Sequence, residues 1–202
     1  MPDKMTEKPA YIRIFSVIVV SALFLCACLV SALWPPRTAT ATLNSPEDGR
    51  VRLLEDREYF PAFMKAIDGA KSEIVMSFFL FKTSGYSKGY TDRILVQLVR
   101  AAKRGVRIRI ILEKDDSARD SQADKSNRET AARLKGKGID VRFDSPSATT
   151  HTKVAVIDKR YIFLGSHNLT NSALKYNHEL SVFIDSPPLA VETLKYINSL
   201  YK

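Results

Sequence analysis

Cysteine is nearly missing from this chain: of 202 residues only Cys26 and Cys28 are cysteines, and both lie near the N-terminus. From residue 50 onward there is none, which excludes a disulfide framework or a cysteine-based zinc site in that region. The absence fits any redox compartment, so it leaves location open. Histidine is almost as scarce, with 3 in all: His151, His167 and His178. No GxGxxG or GxxxxGK[ST] stretch occurs, which removes the common phosphate-cradling loops. HExxH spacing is missing as well, and there is no internal repeat or low-complexity tract.

What is present describes a folded, basic protein. Apolar residues make up 45% and charged residues 26%, the balance of a chain with a core. The length suits one ordinary domain with chain left over. A net charge of +9 points to an anionic partner: nucleic acid, an anionic lipid surface or a phosphorylated substrate.

The spare chain is at the front. Residues 1–13 form a short tail, followed at 14–34 by twenty-one residues without a charge. At ~1.5 Å rise per residue, that run crosses a ~30 Å hydrocarbon core. Lys4, Lys8 and Arg13 precede it, whereas Arg37 is the one basic residue in the linker 35–49. The bias favours a single-pass anchor with the main domain, 50–202, on the extracytoplasmic (periplasmic) side. The alternative is a signal peptide cleaved near Val30-Ser31-Ala32, giving a secreted or periplasmic protein.

From residue 50 strand and helix patterns alternate. Strands are expected at Val51–Leu54, Glu73–Phe81, Val106–Leu112, Ile139–Phe143 and Glu179–Ile184, with a hairpin of 153–158 and 161–165 turning at Lys159-Arg160. Helices are expected at Tyr59–Lys71, from an N-cap at Thr91 to Gly105, at Ser126–Lys137 and at Leu189–Tyr201. This order implies an α/β fold with a mixed central sheet and helices on both faces.

The chemistry concentrates between residues 150 and 168. His151 and Lys153 sit two apart at the start of an apolar strand, so they share a face. An imidazole titrates near pH ~6.5, which suits a nucleophile or proton donor at neutral pH. Lys153, Ser166 and Asn168 offer an ammonium, a hydroxyl and an amide, the donors a reacting phosphoryl group needs. Nothing in this set demands a metal or other cofactor.

The full pattern, His151-x-Lys153-x4-Asp158-x6-Gly165-Ser166-x-Asn168, resembles the HKD signature of the phospholipase D superfamily. The likeness extends from about Val51 to Lys202 and includes Asn177-His178-Glu179-Leu180. It is nearest to the single-motif branch of bacterial Nuc-type endonucleases and the mitochondrial cardiolipin hydrolase Zucchini. The resemblance implies an α/β sandwich that cleaves phosphodiesters without metal, through a phosphohistidine. It implies a catalytic set of His151, Lys153, Asp158 and Glu179, with Asp158 more structural than chemical and Glu179 hydrogen-bonding the histidine. Lys153, Ser166 and Asn168 would hold the phosphate. With one motif per chain, a homodimer would complete the site on its two-fold axis.

Nucleic acid is the favoured substrate, because Lys103, Arg104, Arg107, Arg109, Lys114, Arg133, Lys135, Lys137, Arg142, Lys159 and Arg160 supply backbone-neutralising charge. Phospholipid is the alternative, since the anchor would hold the site at a bilayer and Tyr86, Tyr90 and Phe81 could line an entrance. A catalytically silent, membrane-tethered module would require an incomplete motif, and this one is complete.

Overall fold

A computed structural model describes residues 50–85, 89–114, 121–145 and 148–200. The expected tail, anchor and linker lie outside these residues, as does Tyr86. Among the described residues no helix is long and apolar enough to cross a membrane.

Seven strands form one sheet: β1 (Arg50–Glu55), β2 (Glu73–Phe78), β3 (Arg107–Leu112), β4 (Asp140–Phe143), β5 (Lys153–Ile157), β6 (Tyr161–Gly165) and β7 (Leu180–Asp185). Their order is β1-β7-β6-β5-β2-β3-β4. β2, β3 and β4 run parallel, and every other pairing is antiparallel, so the sheet is mixed. The helices are α1 (Tyr59–Gly69), α2 (Tyr90–Lys103), α3 (Gln122–Lys135), α4 (Asn171–Lys175) and α5 (Pro187–Leu200). A single 3-10 turn, Asp56–Glu58, leads into α1.

Coverage of the two sheet faces is unequal. One carries the larger core, where Phe63, Ile67, Ile94, Leu98 and Leu134 of α1, α2 and α3 meet Met76, Phe78, Ile110 and Phe163. On the other, Ala190, Leu194 and Ile197 of α5 cover Val75, Ile111, Val154, Val156 and Ile162. One helix is too narrow for seven strands. Leu53 and Leu164, which flank Val182 in a row across β1, β7 and β6, stay 54% and 45% exposed, and Leu180 54%.

Several boundaries differ from the sequence reading for identifiable reasons. β2 stops at Phe78, before the apolar run ends, because the next backbone groups are taken by a side chain. Asn127 Oδ1 accepts from Phe81 N at 2.9 Å, and Asn127 Nδ2 donates to Phe79 O at 2.9 Å. α2 begins after Gly89, and Thr91 is buried inside its first turn instead of capping it. α3 starts at Gln122, because Ser121 Oγ accepts from Asp124 N at 3.1 Å; the polar first turn hid this start.

The hairpin turns at Asp158-Lys159, not Lys159-Arg160. Both residues have positive φ (53° and 54°), and Arg160 N donates to Ile157 O at 3.1 Å, a type I′ geometry. Asp158 is thereby directed at the start of β2. Its carboxylate accepts from the backbone N–H of Lys71 (2.9 Å), Ser72 (2.8 Å) and Glu73 (3.0 Å), and from Ser72 Oγ (2.8 Å). Partial burial pushes its pKa up, but these four donors outweigh that and hold it below the usual aspartate value. A depressed carboxylate contributes stability above its unfolded pKa, and this is lost as pH falls below about 4. Asp158→Ala should therefore cost roughly 2 kcal/mol at neutral pH and flatten the acid limb of a stability-versus-pH curve measured by urea unfolding. An unchanged acid limb would remove this role.

Candidate active site

The register fixes one edge of the sheet as the place where the motif residues meet. Lys153 pairs with Phe78, which pairs with Leu112, and Gly165 pairs with Ser181 one position after Leu180. His151, Ser166 and Glu179 stand just past these strand ends. The hairpin brings the two halves of the motif together without long-range assembly.

His151 is exposed, whereas Lys153 is only 8% exposed. Lys153 Nζ lies 3.2 Å from both His151 ring nitrogens and 3.0 Å from the His151 carbonyl oxygen. Burial lowers the Lys153 pKa, and the Glu179 carboxylate opposes that. The ring of Phe79 forms the floor: its centroid is 4.7 Å from the imidazole and 5.3 Å from the ammonium. An accessible imidazole against a partly desolvated cation can attack phosphorus while the cation meets the growing charge on oxygen.

Around this pair the structure sorts the other expected residues. Gly165 is demanded by packing, since a Cβ there would collide with the Ser181 backbone and side chain. Ser166 Oγ donates to Glu179 Oε2 and accepts from Leu180 N at 3.0 Å, so it locks β6 to β7 and its hydroxyl is already engaged. Glu179 also accepts from Asn177 Nδ2 at 3.1 Å, and it does not reach His151 of its own chain, contrary to the expected contact. Asn168 Oδ1 is buried and has no hydrogen-bond partner among the described residues. A half-turn of that amide presents two N–H donors to the same space.

Asp158 is not at this edge. It sits at the opposite end of β5, level with Glu73, roughly 15–20 Å along the strand from Lys153. Its grouping with the catalytic residues is corrected by this: it builds the far turn.

The remaining histidines are otherwise occupied. His167 is fully buried, stacked on Tyr59 at 4.4 Å. Its Nε2 donates to Asp56 O at 2.8 Å, so Nδ1 accepts from Ser181 Oγ at 2.7 Å. Burial pushes its pKa down, keeping it neutral. His178 Nδ1 lies 3.2 Å from Asp56 Oδ2.

Four contributors had no signal in the sequence. Asn127 ties the ends of β2 and β3, with Nδ2 also donating to Glu113 O at 3.0 Å. Glu113 Oε2 accepts from Thr150 N at 2.5 Å, one residue before His151. Phe79 supplies the floor. Asp56, at φ 45°, accepts from Glu179 N at 2.8 Å through Oδ1. Each acts across a long sequence separation, so only hindsight finds them.

The basic residues are also redistributed. Arg104 caps α1 through Ile67 O and Asp68 O, Arg107 faces Glu73, and Arg160 binds Asp185. These three, with Lys103 and Lys159, belong to the end of the sheet away from His151. Among the described residues, the cations at the motif edge include Lys153, Lys82, Lys114, Arg57 and Lys175.

Among the described residues, no group of three or more His, Cys, Asp or Glu side chains is placed to hold a metal ion. An exposed imidazole beside a part-buried ammonium at one edge of a mixed α/β sheet is an arrangement able to carry phosphoryl transfer. A family profile described as "Cardiolipin synthase, PLD-like domain" matches residues 63–201. Phospholipase D of Rickettsia conorii is 30% identical over 160 residues, covering 79% of this chain and 68% of that protein. Human mitochondrial cardiolipin hydrolase is 28% identical, over 75% of this chain and 54% of its own length. Among solved structures, the phospholipase D family member Nuc of Salmonella typhimurium superposes with a TM-score of 0.62 at 28% identity, covering 75% of this chain and 93% of Nuc. NucT from Helicobacter pylori, 18% identical with a TM-score of 0.60, shares the fold. The chain belongs to the phospholipase D superfamily, and is a phosphodiesterase of that superfamily.

Proposed function

We propose that the protein is a metal-independent endonuclease working through a phosphohistidine, with its site completed by a second copy of the chain. The observation that carries this is the exposed His151 imidazole 3.2 Å from the Lys153 ammonium. A ring nitrogen of His151 attacks phosphorus, forming a P–N bond as the P–O bond to the leaving group breaks. The leaving oxygen takes a proton from a second imidazolium. Water then attacks phosphorus, gives its proton to that second imidazole, and frees His151. Lys153 neutralises the charge that grows on the phosphoryl oxygens.

The second imidazole is the reason for a dimer. His167 is buried with both nitrogens bonded, and His178 is turned to Asp56, so the acid is assigned to His151 of a partner chain. The exposed row Leu53, Leu164 and Leu180 borders the same edge and suits such an interface. Replacing Leu53 and Leu164 together by glutamate should yield a monomer in sedimentation and lower turnover at least ~10²-fold, because the acid leaves with the partner. A fully active monomer would remove the dimer from the mechanism.

Phospholipid hydrolysis is the second reading. It is supported by relatives named phospholipase D and mitochondrial cardiolipin hydrolase, and by the uncharged run 14–34. On that run we also base the proposed location: a membrane anchor with the domain on the extracytoplasmic side, or a secreted form after cleavage. The chain spans between 46% and 68% of the lengths of the curated relatives it matches, so their whole activities are not carried over. The deciding experiment gives the full chain, in detergent with EDTA, single-stranded DNA, RNA, cardiolipin and phosphatidylcholine side by side. Cleavage of the lipids but of neither polymer would overturn the nuclease reading; loss of all cleavage in EDTA would overturn metal independence.

A further inference from the structure

Between α4 and β7 the chain passes through Tyr176, Asn177 and His178 before reaching Glu179. Tyr176 is 68% exposed, and none of the other large apolar side chains left exposed among the described residues reaches that value. A lone exposed tyrosine is ordinary. This one differs in position, rigidity and company.

Its position is the motif edge. Glu179 is three positions on from Tyr176, at most ~11 Å of chain, and Glu179 accepts from Ser166 Oγ. Its backbone is held. The N–H groups of Tyr176 and Asn177 both donate to Ser172 O, at 2.8 and 3.0 Å, and Asn177 Nδ2 donates to Glu179 Oε1 at 3.1 Å. Its company is cationic: Lys175 Nζ lies 4.9 Å from the ring centroid, and Arg57 Nε donates to Lys175 O at 3.1 Å. An exposed aromatic ring on a held backbone, with two adjoining cations, is what a nucleic-acid strand needs beside a cleavage site: one surface to stack a base, and charge for the flanking phosphates. An acyl chain would gain little from such a ring, because its neighbours are charged.

We propose that Tyr176, with Lys175 and Arg57, forms a stacking platform for an unpaired base next to the scissile phosphodiester, so that single-stranded nucleic acid is the form cleaved. A base inside a duplex keeps both faces on its neighbours and cannot use the ring without leaving the stack. The inference rests on the nuclease reading above.

The test uses the full chain with Tyr176→Ala and Tyr176→Phe. The substrates are a single-stranded oligonucleotide, the same strand with abasic residues around the cleaved position, its duplex, and bis-p-nitrophenyl phosphate. Tyr176→Ala should raise KM for the base-bearing single strand about tenfold, with Tyr176→Phe close to the parent. Abasic strand and small diester should change less than about twofold, and the parent should prefer single strand to duplex. An unchanged KM, or an equal loss on all four substrates, overturns the platform and leaves the nuclease reading standing. If the parent hydrolyses the small diester but no oligonucleotide, the nuclease reading fails and the platform with it.

Discussion

His151→Asn in the full chain is expected to lower phosphodiester hydrolysis on the order of 10⁴-fold, with folding intact. The imidazole is exposed, and among the described residues its ring meets Phe79 and Lys153, so an amide fits without disturbing the core. What the change removes is chemical: the nucleophile on one side and, in the proposed dimer, the proton donor on the other. Removing a general acid alone costs about 10²–10⁴ in rate, and the loss of the attacking nitrogen closes the covalent route as well. Mixing the variant with the parent chain gives a sharper measurement. If both imidazoles of one site come from different chains, activity falls with the square of the parent fraction. A linear fall would show that each chain works alone and would end the shared-site mechanism.

Asn127→Ala is expected to cost about 3–5 kcal/mol of stability, read from urea unfolding with an unchanged slope. The side chain is fully buried and satisfies three backbone groups: Phe81 N, Phe79 O and Glu113 O. Alanine leaves all three without a partner in a region closed to water, and each orphan costs about 1–3 kcal/mol. The effect should reach the site. Phe79 is the floor beneath His151, and Glu113 holds Thr150 N beside it, so both would lose their anchor. At a temperature where the variant stays folded, turnover should drop up to ~10²-fold from misplacement alone. A stability loss below about 1 kcal/mol would mean that the strand ends find other partners.

The two predictions mark the boundary between what was legible and what was not. His151, Lys153, Gly165, Ser166 and Asn168 were readable because they lie on one hairpin and the turn that follows it. Alternation along β5 and the pairing of β5 with β6 bring them to one edge by local geometry. Asp158 belongs to the same string of residues, yet five positions of strand carry it to the opposite end of the sheet. The spacing was visible, but the contacts with Lys71, Ser72 and Glu73 were not, since they depend on β2 lying alongside β5. Glu179 was expected to hydrogen-bond the histidine, but its carboxylate takes the Ser166 hydroxyl, a choice made by the β6–β7 register.

Charge shows the same division. The count of lysines and arginines predicted an anionic partner, but a count carries no direction. The sheet register divides them, sending Arg104, Arg107 and Arg160 into caps and ion pairs away from His151. It leaves Arg57 and Lys175, which no pattern singled out, beside Tyr176 at the motif edge. By itself, then, the sequence determined the α/β class, the shared strand face of His151 and Lys153, and a single such motif within these 202 residues. Those follow from periodicity and short spacings, which act over a few residues. Tertiary structure alone decided that Asn127 and Glu113 support the histidine, that Asp158 stands apart from it, and that α5 is the one described helix covering its sheet face. These depend on which strands lie side by side, and that is set by burial summed over the whole core, not by any local stretch.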